Sequence, residues 1–263
     1  MGQERHASDF QRHADFALRY RFLEPAGTSR LEFARTIESH GAADGRWKVL
    51  RVFALLLALF CSLPVLAQAS PFASRTEALE GLAASDAARR ADAVTWIAHH
   101  GTPADDDVLL RRLFDDSAVV RELAEQGLWM LWSRSGNDAI DALMEKGARQ
   151  MQDGQFKDAI ATYSEVIRRR PAFAEGWNRR ATVLFLAGDF RRSLADCDQV
   201  MKRNPRHFGA LAGYGQIHFK LKQYAKAIDY WQRALLVNPN MAGVEDAIEV
   251  ARKVLAEQRK HSA

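Results

Sequence analysis

The sequence predicts an all-α protein, a right-handed solenoid of helical hairpins, on three observations. Prolines 171, 205 and 239 stand at equal spacings of 34 residues. A fainter repeat with an offset of 31 residues relates two halves of the segment 75–135. Hydrophobic residues make up 48% of the 263 and charged residues 27%, a globular composition that excludes a wholly disordered, collagen-like or multi-spanning membrane chain. Fixed periods of this size mark stacked supersecondary units that bury their apolar faces against their neighbours. A formal charge of +4 is too small to point to nucleic acid, and two cysteines cannot build a disulfide framework.

Taken in order, residues 1–45 mix Arg, His, Asp and Phe with weak periodicity and read as a lead-in with no fold of its own. Residues 46–69 carry a signal peptide. Arg46, Lys48 and Arg51 form its basic region, Val52 to Leu63 its apolar core, and Ala67 and Ala69 the small residues of a cleavage site. The apolar run from Val52 to Ala67 is interrupted by Pro64 and falls short of the roughly 20 residues of a membrane-crossing helix. Cleavage after Ala69 would start the mature chain at Ser70 in the periplasm or outside the cell; without cleavage the segment would anchor the chain in the inner membrane. Phe60 before Cys61 does not suit a lipidation site, where a small residue precedes the cysteine.

Residues 70–139 hold the weaker repeat. Leu79 and Leu82 align with Leu110 and Leu113, Arg90 with Arg121, Ala93 with Ala124, and Ile97 with Leu128. The string Leu113-Phe114-Asp115-Asp116, with Val119-Val120-Arg121 and Ala124 after it, resembles a HEAT repeat, which implies two stacking hairpins. Gly101-Thr102-Pro103 reads as the loop between them and Ser135-Gly136-Asn137 as the junction with the 34-residue repeats. Trp96, Trp129 and Trp132 lie beside Leu and Ala at helical spacing and read as core.

Residues 140–241 divide into three units, 140–173, 174–207 and 208–241. Aligned columns hold Gly147, Ala181 and Gly215; Phe156, Phe190 and Tyr224; Ala159, Ser193 and Ala227; Tyr163, Cys197 and Trp231; and Val166, Val200 and Ala234. Small residues belong where two helices approach closely, and aromatic ones fill the gaps between hairpins. Gly154 and Gly188 suit a turn with positive φ, a position that Lys222 takes in the third unit with expected strain. Each proline ends a second helix, since it has no amide proton to continue one. Residues 242–263 form a final helix, with Val244, Ile248, Ala251 and Leu255 on one face, that caps the stack.

These columns resemble the tetratricopeptide repeat (TPR), a helix-turn-helix of 34 residues. Strings such as Ala174-Glu175-Gly176-Trp177-Asn178-Arg179-Arg180-Ala181 and Asn204-Pro205-Arg206-His207-Phe208 are similar to secreted or envelope-associated proteobacterial TPR proteins of unassigned activity. The resemblance implies a scaffold that binds a protein or peptide in a concave groove lined by the first helix of each hairpin. The groove residues it implies are Asn178, Arg179, Thr182 and Phe185 in the second repeat and Gln216, Phe219 and Lys220 in the third. Amides serve a peptide backbone, cations a carboxylate and aromatics an apolar pocket. Repeat one offers Met144, Glu145 and Ala148 in place of the Lys and Asn pair with which chaperone-binding TPRs hold a terminal carboxylate.

Charge is unevenly placed. Residues 70–139 carry 7 basic and 12 acidic side chains, and residues 140–263 carry 21 and 14, so an acidic front precedes a basic back. Arg168-Arg169-Arg170 ends a helix, where cations complement the dipole. No nucleic-acid partner is expected, because no basic-aromatic recognition module accompanies the charge. His99-His100 and Asp105-Asp106-Asp107 read as a helix end and a helix start rather than a metal site. Phosphate loops, nucleophile elbows and zinc-protease motifs are missing from the sequence. The expectation is therefore a non-enzymatic scaffold, with no catalytic residue, metal or cofactor, an unknown protein or peptide partner, and membrane contact only through the signal segment. The alternatives are a structural or self-associating solenoid with no groove ligand, and a membrane-anchored adaptor.

Overall fold

The structure, a computed structural model, describes residues 71–262. The lead-in expected over 1–45 and the signal peptide expected over 46–69, with Ala67 and Ala69, lie outside the described residues. Those described form eleven α-helices and one short 3-10 turn, with no strand among them. None of these helices is long and apolar enough to cross a membrane.

The upstream part consists of α1 (Arg75–Gly81), α2 (Ala87–His100), α3 (Asp106–Arg112) and α4 (Ala118–Ser133), with a 3-10 turn at Pro103–Asp105. Helix starts at 75 and 106, and at 87 and 118, reproduce the offset of 31. One arginine per hairpin explains the register. The Arg90 guanidinium donates to the carbonyls of Ala84 and Ser85, and Arg121 donates to those of Asp115 and Asp116, the same pair 31 residues on. Each arginine thereby satisfies carbonyls of the loop that joins the two helices of its hairpin. Arg90 also holds the buried Asp115 through its Nε (3.0 Å) and Nη2 (2.7 Å), and pairs with Asp116. At Asp115 burial by itself would raise the pKa; the bonds from Arg90, the Ser117 amide and Arg112 outweigh it and hold the carboxyl well below the usual range.

Three more hairpins come next: α5 (Asp138–Gln152) with α6 (Phe156–Arg169), α7 (Ala174–Leu186) with α8 (Phe190–Arg203), and α9 (Phe208–Lys220) with α10 (Tyr224–Val237). Each first helix ends in a left-handed residue: Gly154 at φ 72°, Gly188 at 80° and Lys222 at 59°. The amide after each reaches back to the carbonyl five residues earlier, as in Gln155 to Gln150 (2.8 Å), which closes the orphan carbonyls of the helix end. The strain expected at Lys222 is present as a non-glycine residue in this region. Each second helix stops one residue before its C-cap, and prolines 171, 205 and 239 come directly after those caps. Tyr163, Cys197 and Trp231, aligned in one column, are all buried. Tyr163 and Trp231 lie against Gly147 and Gly215; a Cβ on Gly147 would sit 2.6 Å from the Tyr163 ring.

The last helix, α11 (Val244–Ser262), packs against α10 and buries Val244, Ile248 and Ala251. The spatial order of the stack differs from its chain order. The upstream hairpins share one hydrophobic core with the third repeat and the cap: Leu128, Leu131 and Trp132 join Phe208, Leu211, Trp231, Met241 and Ile248 in a single cluster. The first repeat centres on a separate cluster around Tyr163, the second on one around Cys197. The upstream pair thus folds back along the array instead of extending it from its first hairpin. Asn240, in the loop before α11, donates to the Leu113 carbonyl (2.7 Å) and accepts from Arg121 Nε (2.9 Å), taking at the second hairpin the place that Asp115 takes at the first.

Candidate functional site

The first helices α5, α7 and α9 carry the inner-face positions of the three repeats. On α7, Glu175 lies one helical turn from Asn178 and Arg179, and all three are drawn into one network. Asn178 is buried and donates to Glu175 Oε2 (3.0 Å). Arg179 pairs with Glu175 Oε1 (2.6 Å). His207, with no exposed surface, meets Glu175 Oε2 at 3.1 Å through Nε2, while its Nδ1 accepts the Ala210 amide proton (3.1 Å) as the N-cap of α9. Accepting at Nδ1 places the ring proton on Nε2, which donates to the carboxylate. Burial would raise the Glu175 carboxyl, but the Arg179 charge and the bonds from His207 and Asn178 hold it below the usual range. The network ties α7 to the start of α9, so Asn178 and Arg179 set the spacing of the two helices.

Thr182 donates its hydroxyl to the Asn178 carbonyl (3.0 Å), as a threonine inside a helix often does, and stays half-buried. Phe185 is half-buried and meets Phe190 at a centroid distance of 5.7 Å. Phe219 meets Tyr224 (5.3 Å) and Trp231 (5.7 Å), also half-buried. Gln216 is half-buried and Lys220 exposed. Two regions result. Toward the start of α7 and α9 the inner positions are committed to the network. Toward their ends Thr182, Gln216 and Lys220, with the ring edges of Phe185 and Phe219, keep access to solvent.

Sequence reasoning missed Glu175, His207 and the upstream side chains that meet them. Trp132 stacks on the His207 imidazole (centroids 4.7 Å apart, 24° between planes), and Trp129 meets Phe208 edge-on at 5.1 Å. Trp132, the most buried of the three upstream tryptophans, donates Nε1 to Asp106 (3.3 Å). Arg206 pairs with Asp106 (3.3 Å) and Asp107. Only the acidic front and basic back of the charge distribution could have hinted at these contacts.

The other candidate groups are tied up locally. His99 and His100 bond the Thr95 and Trp96 carbonyls through Nδ1. Asp105 accepts from the Thr102 amide (2.8 Å) and from Arg75. Among the described residues no three His, Cys, Asp or Glu side chains gather as a metal site requires. Burial, with Asp196 and Asp198 nearby, pushes the Cys197 thiol up to about 12, far from nucleophilic. At the end of α6, Arg168 and Arg169 both bond Glu165 and lower its pKa to about 2.

The tetratricopeptide-repeat family is matched twice along this chain, over residues 144–200 and over 212–241. The chain carries tetratricopeptide repeats. A TPR repeat-containing protein of Rhizobium etli is 31% identical over 128 residues, 49% of this chain and 63% of that one. Tetratricopeptide repeat protein 12 of Mus musculus is 32% identical over 108 residues, 41% of this chain and 15% of that one. The Hsp70-Hsp90 organizing protein of Triticum aestivum is 29% identical over 139 residues, 53% of this chain and 23% of that one. The matches thus span less than two thirds of these curated relatives. Among solved structures, the Sgt2 TPR domain from Aspergillus fumigatus has a TM-score of 0.46 at 17% identity, with 48% of this chain and 85% of that one covered. The matched TPR segments hold α7 and most of α9, the helices that carry every groove position named from the sequence.

Proposed function

We propose that this chain is a non-enzymatic scaffold that binds a protein or peptide partner on the inner face of its TPR array, in the periplasm or cell envelope after export. The single observation that carries the reading is the half-open inner face, where Thr182, Gln216 and Lys220, with Phe185 and Phe219, keep access to solvent. That combination offers a hydroxyl, an amide and a cation beside two aromatic edges, which suits a polar segment with apolar anchors. Asn178 and Arg179 act behind it as positioning residues. The organizing protein of wheat is named for Hsp70 and Hsp90, and a chaperone-type tail is a poor fit here, because Met144, Glu145 and Ala148 stand where the clamp needs its Lys and Asn pair. Export rests on the basic, apolar and small-residue succession from Arg46 to Ala69, and the upstream hairpins fit the HEAT-like reading through their arginine register.

The test is affinity capture from the native host with wild type and a Thr182→Ala, Gln216→Ala, Lys220→Glu variant, with helical circular dichroism as the control for folding. Loss of capture with helicity retained is the expected result; equal capture by both removes the groove. Intact mass of the protein from fractionated cells tests export, with a mature chain beginning at Ser70 in the periplasmic fraction as the expected outcome. Self-association is favoured by one observation, the exposure of Phe114 (61%), Val119 (60%) and Leu236 (77%). A strict monomer in light scattering would remove it.

A further inference from the structure

The inner face at the start of α9 is covered by this chain's own α4. Positions 209, 212 and 216 share one face of α9, and a bare inner face would leave them open. Gly209 and Ala212 are instead buried, and a Cβ on Gly209 would overlap the Trp129 ring. Trp129 and Trp132 lie three residues apart on α4, so they leave the helix on the same side. Their rings meet edge to face with centroids 5.8 Å apart. Below them are the flat His207 ring, held on both nitrogens by Ala210 and Glu175, the edge of Phe208, and the bare backbone of Gly209. The polar attachments of the upstream hairpins to the array include Arg206 to Asp106 and Asp107, and Asn240 to Leu113 and Arg121. Their covalent tie is the short segment 134–137, in which Gly136 has a φ of 69°.

We propose that the pocket formed by His207, Phe208 and Gly209 is a helix-recognition site that α4 fills in cis, and that its partner in trans is an amphipathic helix presenting two large aromatic side chains three residues apart. The proposal rests on the reading that the inner face binds proteins, and it names the class of partner. An extended peptide sets same-face side chains about 6.6 Å apart and needs backbone hydrogen bonds. The pocket is floored by the N-cap and first turn of α9, and its two aromatic guests stand at the closer separation that one helical turn dictates. A tethered resident holds the site at high effective concentration, so the affinity for a partner is scaled down by the fraction of molecules in which α4 has left. The upstream hairpins thereby act as a built-in competitor.

The test uses the full chain and a fluorescein-labelled synthetic peptide of residues 117–134, read by anisotropy. Trp129→Ala with Trp132→Ala vacates the pocket and leaves the α9 surface intact. The expected result is binding to this double variant tighter than to wild type by about tenfold or more. Adding Gly209→Leu, or replacing both tryptophans of the peptide, should abolish that binding. Equal binding to wild type and variant, no binding to either, or binding indifferent to Gly209→Leu overturns the proposal. If the double variant loses helicity, Arg206→Glu serves instead: it reverses the pairs with Asp106 and Asp107, keeps the tryptophans, and should raise peptide affinity in the same direction. A wild-type dimer that the peptide dissociates would make a second copy the occupant and overturn the assignment to a foreign helix. Peptide binding with failed host capture counts against the scaffold reading alone, and failed peptide binding with successful capture against this pocket alone.

Discussion

Cys197 illustrates how a residue's neighbours decide its chemistry. Its column mates are Tyr163 and Trp231, and burial pushes the thiol up to about 12. In a Cys61→Ser chain, dithionitrobenzoate should react with Cys197 slowly at neutral pH and at once in urea; fast reaction of the folded protein would contradict the burial. Asp115 gives the opposite sign. A carboxyl held below its unfolded pKa adds stability that is complete above that unfolded value and is lost as pH falls through the folded one. The urea midpoint of the wild type should therefore drop between about pH 5 and pH 3, whereas Asp115→Asn should start lower at pH 7 and change less over the same window. A steeper fall in the variant would place the acid sensitivity elsewhere. Lys222 at φ 59° predicts that Lys222→Gly raises stability by about 1 kcal/mol, measured by denaturant titration. This strain was legible in the sequence because two glycines mark the same place in the sister repeats. The roles of Asn178 and Arg179 were not: their helical spacing gives a face, while His207, which shares Glu175 with them, is the last residue of the same repeat, at the N-cap of α9.

Element packing was the most legible level, since a period of 34 fixes which positions of two helices meet. Gly147 and Gly215 sit where Tyr163 and Trp231 cross, and their small size could be read from the column alone. Gly215→Ala inserts a methyl group into the Trp231 ring, and overpacking of this kind costs about 1–3 kcal/mol. Calorimetry should show a lower Tm for Gly215→Ala and no such change for an alanine at exposed, helical Lys226; equal effects would mean that helix propensity, not the ring, sets the cost. The upstream period of 31 was fainter because its regularity lies in carbonyls. Arg90 and Arg121 repeat visibly, but the groups they bond are main-chain oxygens that no residue identity reports.

The whole molecule was the least legible scale. Nothing periodic tells a chain whether two repeat types join end to end or fold back, because that depends on the direction taken over residues 134–137. The signal that existed was electrostatic and coarse, with Arg206 of the basic array facing Asp106 and Asp107 of the acidic hairpins. Since one core runs from Leu128 to Ile248, deletion of residues 244–263 should raise amide exchange in α4 as well as in α10. Unchanged exchange in α4 would mean that the upstream hairpins stand on their own core.

The bond from Asn240 to the Leu113 carbonyl closes a loop of 127 residues. Contacts of such separation form late, after the local hairpins. On a ribosome the upstream hairpins leave the exit long before the residues that complete their core exist, so for much of synthesis Trp129 and Trp132 lack their final burial. The chain is thus made open and closes only when its last helices arrive, and translation itself delays the latch.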